Sequence, residues 1–184
     1  ALLIGILSDK INLKPLVLDQ DIRWQIVQRL AALGHSQAAE LITKTKANDP
    51  SETSFKSYLA AEASKPMINE KMKWLEQMNR PDANWSLARK QSIIYSLFPS
   101  TPRQTQLRYQ FREQFYKTMS ILDKRNEDIS YNRAYVDLAP SGCDETLIKE
   151  FDNFISQQDW NVVTKKSLVI QNQENKICAR VQIR

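Results

Sequence analysis

Apolar residues recur along this chain at spacings of three and four positions, which is the pattern of amphipathic helices. The clearest run begins at Asp19, after which Ile22, Ile26 and Leu30 fall on one face. The Asp19 side chain can accept hydrogen bonds from the first helical turn, and Gly34 can adopt the left-handed conformation that ends a helix. These signals predict a long helix over this segment.

The same signals recur to the end of the chain, with Ser36 as the expected cap of the second helix. No segment shows the alternation of a strand. The predicted helices cover residues 19–33, 36–47, 51–63, 67–79, 85–98, 103–124, 127–138, 144–157 and 161–182. The pattern therefore predicts an all-α fold, an irregular α-solenoid of stacked helix pairs like those of HEAT and armadillo proteins. We expect one helical domain over 1–184.

The tryptophans of these helices are expected to belong to the core. Trp24 and Trp74 both lie in mid-helix, on or near an apolar stripe. Truncation of either to alanine would then cost about 3–5 kcal/mol.

Composition excludes several kinds of catalytic site. The three glycines among 184 residues are too few for phosphate-binding, dinucleotide-binding or hydrolase glycine motifs. The single histidine, His35, is expected to be a surface turn residue, and one histidine cannot form a zinc site with two distant cysteines. Adjacent acids such as Asp144 and Glu145 stand at predicted helix starts, where capping explains them better than catalysis.

The charge pattern gives no sign of a nucleic-acid or membrane partner. A net charge of +5 is interleaved with acids and forms no block of like charges, so we expect a solvated surface. No apolar run approaches the roughly 20 residues that cross a bilayer. The chain begins at Ala1, inside what resembles the end of a helix, so we expect it to be part of a larger protein.

The two cysteines, Cys143 and Cys178, lie far apart and in no C-x-x-C motif. We expect two reduced thiols in a cytoplasmic protein. A disulfide bond or a reactive thiol is the alternative.

One predicted helix carries a candidate binding face. Arg108 and Arg112 are neighbours at i and i+4, with Tyr116 one turn further, opposite an apolar stripe. Like charges at this spacing repel unless an anion lies nearby. Either the two arginines are solvated, or they form a cationic patch that receives a carboxylate.

Several segments resemble the C-terminal helical domain of aminopeptidase N, in the branch of zinc aminopeptidases whose C-terminal domain is like that of the endoplasmic-reticulum aminopeptidases. The resemblance covers nearly the whole chain. Its main segments are Leu18–Gly34, Ala60–Pro66, Lys71–Trp74, Ser96–Pro99, Gln106–Tyr109, Phe115–Tyr116, and the charged last helix with Gln173–Lys176 and Arg180.

The resemblance implies a division of labour. In that family a thermolysin-like domain holds zinc through H-E-x-x-H and a downstream glutamate, and a G-x-M-E-N segment binds the substrate's amino terminus. None of these motifs occurs in this chain, so no catalytic residue and no metal ligand can be assigned to it. The helical domain closes over the catalytic domain of the same chain and lines a chamber that admits peptide substrates.

The resemblance therefore implies a zinc-dependent hydrolase in which this segment is the non-catalytic part. Arg108, Arg112 and Tyr116 would then line the peptide chamber. The alternative is a free-standing helical-repeat scaffold that binds a protein partner. The sequence upstream of Ala1 distinguishes the two.

Overall fold

The computed structural model describes residues 2–8, 10–11, 14, 17–80, 82–125 and 128–182. Within these ranges every regular element is helical, so the predicted all-α class is confirmed. The chain divides into two compact units, Ala1–Thr101 and Pro102–Arg184, and each has its own set of packed helices. The expectation that 1–184 acts as one domain stays a prediction.

Unit 1 contains six of the described helices. They are α1 Leu2–Leu7, α2 Gln20–Ala32, α3 Ala38–Ala47, α4 Glu52–Ser64, α5 Ile68–Asn79 and α6 Leu87–Leu97. Unit 2 contains five, together with a short 3-10 turn at Val136–Leu138. They are α7 Pro102–Gln110, α8 Arg112–Arg125, α9 Ile129–Tyr135, α10 Glu145–Ser156 and α11 Val162–Gln182.

The predicted helix signals are mostly, but not all, confirmed. Asp19 accepts from the Ile22 N–H at 2.8 Å and Asp144 from the Leu147 N–H at 3.0 Å, as expected of caps. Gly34 has a φ of 70°, the left-handed conformation that a side chain would strain. The prediction that Ser36 caps α3 is wrong, because this helix begins after Gln37 and has no side-chain cap.

The core of unit 1 forms where α2 packs between α3 and α4. Trp24 and its buried neighbours on the three helices form one cluster: Val27, Ala31, Ala38, Ile42 and Ala61. The Trp24 indole donates to the Ser54 hydroxyl at 3.1 Å, so its one polar group is also satisfied. Trp74 differs from the prediction, because it is only partly buried and meets Trp85 edge-on at 6.0 Å.

A lysine lies among the buried residues of unit 1. Lys71 on α5 has no exposed surface. Its ammonium donates to the carbonyl of Ala63 at 3.1 Å and to that of Leu97. These acceptors are in the last turn of α4 and at the end of α6, where helix carbonyls lack partners within the helix. Lys71 therefore joins the ends of two helices to a third.

Unit 2 is built on aromatic packing. Phe115 on α8 stacks on Tyr135 at 5.9 Å and meets Phe151 on α10 edge-on at 6.2 Å. The single helix predicted over 103–124 is two helices, α7 and α8, joined at Phe111. Phe111 itself is buried, so the joint lies where this side chain enters the core.

Within the described ranges, none of the helices combines the length and the apolar character needed to cross a bilayer.

The two tryptophans should differ in their contribution to stability. Trp24→Ala removes a fully packed side chain, so we expect the free energy of unfolding to fall by about 3–5 kcal/mol. Trp74→Ala should cost roughly half of that or less, because part of the ring is already in solvent. Urea denaturation of both variants measures the difference. Equal losses would contradict this assignment of the core.

Lys71 should make the stability of the protein depend on pH. Burial lowers the pKa of Lys71 from 10.5 to about 7. Between these values the unfolded chain binds a proton that the folded chain has released, so stability rises with pH. We expect an increase of about 2 kcal/mol in the free energy of unfolding from pH 7 to pH 9. Well below pH 7 both states hold the proton, so this dependence disappears.

The control for this titration is Lys71→Met, which has a similar length and no titratable group. It should show no rise over the same interval, in denaturation curves recorded at matched ionic strength. A wild-type profile as flat as that of the variant would contradict a buried, titrating amine.

Candidate functional site

The candidate site lies in unit 2, where the joint between α7 and α8 places Arg108, Tyr109, Arg112 and Tyr116. The backbone hydrogen bonds continue through the joint, since the Phe111 N–H donates to the Leu107 carbonyl at 3.0 Å. The four side chains therefore keep the spacing that the sequence predicts. Their partners, however, differ from one residue to the next.

Arg108 is committed to the protein backbone. Its guanidinium donates from Nε to the Ala139 carbonyl at 2.7 Å and from Nη2 to the Asp137 carbonyl at 2.6 Å. Burial lowers the pKa of Arg108, and the Asp137 carboxylate opposes that shift. The planar guanidinium, with its fixed donors, is suited to spanning two neighbouring carbonyls. Its role here is to hold the segment after α9 against α7.

Arg112 has partners of a different kind. Its Nε lies 3.4 Å from both carboxylate oxygens of Glu150 on α10, and its guanidinium carbon lies 4.4 Å from the centre of the Tyr109 ring. Nη1 also donates to the Tyr109 carbonyl at 3.3 Å. Burial alone would lower the pKa of Arg112, but Glu150, Tyr109 and Glu113 together raise it. The guanidinium is therefore charged and held in one orientation.

Tyr116 is packed into an aromatic cluster. Its ring centre lies 4.4 Å from that of Phe154 and 5.9 Å from that of Phe151, both on α10. Burial, followed by the Glu150 carboxylate, raises the pKa of the Tyr116 hydroxyl. Tyr116 therefore stays neutral at physiological pH and forms the apolar floor beside Glu150 and Arg112.

The structure does not bring Arg108 and Arg112 together as one carboxylate site. Arg108 and Arg112 are not two unpartnered guanidinium groups, since one binds backbone carbonyls and the other a glutamate on α10. Glu150 lies 38 residues beyond Arg112, at a distance along the chain that no i and i+4 rule can detect. That Arg108, Arg112 and Tyr116 line a peptide chamber stays a prediction. Of the three residues, Arg112 and Tyr116 are the better suited to such a role.

The loop that Arg108 holds is also tied to α11. Asn175 on α11 donates to the Pro140 carbonyl at 3.2 Å and accepts from the Gly142 N–H at 3.1 Å. Cys143 in the loop and Cys178 on α11 are joined by a disulfide bond, with their Cα atoms 4.9 Å apart. The expectation of two reduced thiols is therefore wrong. The fold brings together two cysteines that no local motif connects.

Sequence reasoning missed Asn175 and its neighbour Asn172, which are both buried. Asn172 donates to the Asp152 carboxylate at 2.8 Å and to the Ile148 carbonyl at 3.2 Å. Asparagines on the inner face of an amphipathic helix are a signal that could have been used, because a buried amide needs partners. The pattern alone does not say which groups those partners are.

His35 lies in the turn between α2 and α3 and is partly exposed, as a surface turn residue would be. Its Nδ1 accepts from the Gln37 N–H at 3.2 Å, a bond within the turn that leaves the first turn of α3 without a side-chain cap. Among the residues that the structure describes, no three of His, Cys, Asp and Glu are grouped so that they could hold a metal ion.

Unit 1 has a separate surface cavity of about 490 Å³ between the end of α3 and the start of α4. Lys46 lines this cavity, and its ammonium lies 3.8 Å from the centre of the Tyr58 ring. The Arg89 guanidinium lies 4.8 Å from the centre of the Phe55 ring and binds both carboxylate oxygens of Glu52. The cations beside this cavity are thus already placed on aromatic faces or paired with an acid.

The comparisons with known proteins give no assignment. No model of a known protein family matches the chain, and a search of curated proteins finds no match.

The two arginines should have different effects on stability. Arg108→Ala leaves two carbonyl groups without a charged donor, one of them on the fully buried Ala139, so we expect a loss of about 2–3 kcal/mol in the free energy of unfolding. Arg108→Lys should recover little, because one ammonium lacks the guanidinium's two spaced donors. Arg112→Ala should cost about 1 kcal/mol or less, since its pair with Glu150 is partly solvated. Denaturation with guanidinium chloride measures the stability of all three variants. Similar small losses for Arg108→Ala and Arg112→Ala would contradict the structural role of Arg108.

Proposed function

We propose that this chain is the non-catalytic C-terminal helical domain of a zinc aminopeptidase, a hydrolase that removes residues from the amino termini of peptides. In this role it caps the active site and lines the chamber in which peptides bind. The observation that carries the proposal is the buried junction at which Lys71 binds the ends of α4 and α6. Lys71 belongs to one segment of the resemblance, and its two acceptors belong to two others, Ala60–Pro66 and Ser96–Pro99.

This junction supports the proposal because the three segments are separated in the sequence. If their likeness to the aminopeptidase domain came only from helical composition, nothing would require them to meet at one buried amine. A set of residues that act together in the fold is a more specific resemblance than three separate amphipathic runs.

The proposal assigns the chemistry to another part of the parent protein. Zinc is held there by the H-E-x-x-H motif and a downstream glutamate, and this chain supplies neither a ligand nor a catalytic residue. Its partners are the catalytic domain of the same chain and the peptide substrates. We propose no nucleic-acid partner and no membrane partner.

Within unit 2, Arg112 is the residue best placed to bind the carboxylate of a peptide. The Tyr109 ring and Glu150 fix its guanidinium, which reduces the entropy lost when a ligand binds. A carboxylate would compete with Glu150 for the same donors, so the expected interaction is weak and suited to substrates that must leave. Arg108 acts instead as a positioning residue, because both of its observed bonds go to backbone carbonyls.

The cytoplasmic location stays a prediction, but the expectation of reduced thiols, which was its main support, is wrong. Two reduced thiols would favour it, whereas the disulfide bond between Cys143 and Cys178 counts against it. Disulfide bonds persist mainly in oxidising compartments.

The coding sequence upstream of Ala1 tests the proposal directly. A thermolysin-like segment with H-E-x-x-H and G-x-M-E-N is the expected result. An upstream sequence without these motifs would contradict it and would leave the free-standing scaffold that binds a protein partner.

In the full-length enzyme, Arg112→Gln should weaken the binding of peptides through their free carboxyl end. A charged hydrogen bond contributes about 1.5–3 kcal/mol, and competition with Glu150 keeps the net gain near the lower end, so KM for a short peptide should rise about tenfold at most. The same peptide with a carboxy-terminal amide should be affected much less, and kcat should change little for either. Steady-state kinetics on this substrate pair makes the measurement.

The matched control is Lys117→Gln, which removes an exposed cation from the same helix. It should leave both KM values near those of the wild type. Equal effects of Arg112→Gln on the two substrates, or no effect on either, would contradict the assigned role of Arg112.

A further inference from the structure

The disulfide bond joins two parts of unit 2 that already have other links. Cys143 lies in the loop between the 3-10 turn and α10, and Cys178 lies near the end of α11. The cysteines are 35 residues apart, and their Cα separation of 4.9 Å is within the range of disulfide bonds. The loop therefore has a covalent link to α11 in addition to its hydrogen bonds.

Those hydrogen bonds come from two sides. Asn175, three residues before Cys178, binds the loop at Pro140 and Gly142. Arg108 on α7 binds the loop at Ala139 and the preceding 3-10 turn at Asp137. Because three hydrogen bonds hold the loop itself, loss of the sulfur–sulfur bond would leave the two thiols close to each other. Nearby thiols can form the disulfide bond again at a high effective concentration.

The residues of the disulfide bond are not buried. Both Cys143 and Cys178 are partly exposed, unlike the buried residues Ala139 and Asn175 beside them. We therefore expect a small dithiol to reach the bond without unfolding the unit. Thiol–disulfide exchange proceeds by attack of a thiolate on one sulfur, which gives a mixed disulfide that the second thiol resolves.

We propose that the Cys143–Cys178 bond is a reversible redox tether between the loop 139–144 and α11. In the oxidised protein the tether fixes the loop, and with it the Ala139 carbonyl that binds Arg108. A dithiol reductant converts the bond into two cysteine thiols and is itself oxidised to a cyclic disulfide, so two electrons and two protons pass to the protein. The reduced unit keeps its fold and loses rigidity in this loop. The proposal does not depend on the aminopeptidase assignment.

The first test counts thiols in the native protein. After incubation in an oxidised glutathione buffer, alkylation in denaturant without a reductant should add no label. After native incubation with dithiothreitol and its removal, the same alkylation should label both cysteines, as read by intact mass. Two labels in the oxidised sample would overturn the pairing. Labelling that requires denaturant during the reduction step would overturn the reversible tether.

The second test measures what the tether does to the fold. A closed loop of this length predicts that reduction lowers Tm by roughly 10 °C. The double variant C143S/C178S should melt near the reduced wild type and should not respond to dithiothreitol. Hydrogen exchange should increase most at the amides of Ala139 and 141–144, whereas α8 should lose only the protection that follows from the lower global stability. An unchanged Tm, or an increase in exchange that is no larger in this loop than in α8, would contradict a local tether.

Discussion

Unit 1 depends on one costly interaction, the burial of the Lys71 amine between the ends of α4 and α6. Helix ends leave carbonyl groups unsatisfied, and these groups carry partial negative charge, so a lysine can bind two of them at once. Against this, the removal of an ammonium group from water strongly favours its neutral form. The pKa near 7 shows that burial outweighs the attraction of the helix ends. Either form of the amine can still donate to the carbonyls of Ala63 and Leu97. The junction therefore persists above and below pH 7, although the stability of the protein changes with pH.

Unit 2 satisfies its buried polar groups in a comparable way. Arg108 and Asn175 bind backbone groups of one loop from two different helices, and the disulfide bond adds a covalent link. Because the loop has no regular secondary structure, these links replace the hydrogen bonds that a helix would supply internally. The same arrangement separates the two arginines of the candidate site. Arg108 positions the loop, whereas Arg112 stacks on Tyr109, pairs with Glu150 and is the more available to a ligand.

Local patterns predict most of the helices and few of their partners. The spacing of Ile22, Ile26 and Leu30 and the cap at Asp19 are properties of neighbouring residues, so the sequence shows them directly. Lys71 occupies the same helix face as Leu75 and Met78, but periodicity cannot tell a lysine that reaches solvent from one that caps two other helices. The joint at Phe111, the pairing of Arg112 with Glu150 and the disulfide bond all depend on contacts between distant segments. For this reason local spacing alone predicts that Arg108 and Arg112, on α7 and α8, are two unpartnered cations.

The most direct test of the buried junction is the titration of the Lys71 side chain, followed by NMR of the Cε resonance in protein labelled with ¹³C-lysine and assigned by comparison with Lys71→Met. We predict a midpoint near pH 7 for this one lysine. We also predict side-chain protons that exchange slowly with solvent, because the Nζ donates to the Ala63 and Leu97 carbonyls inside unit 1. A midpoint near 10.5, the ordinary value for lysine, together with rapid exchange would show a solvated amine and would contradict the central junction.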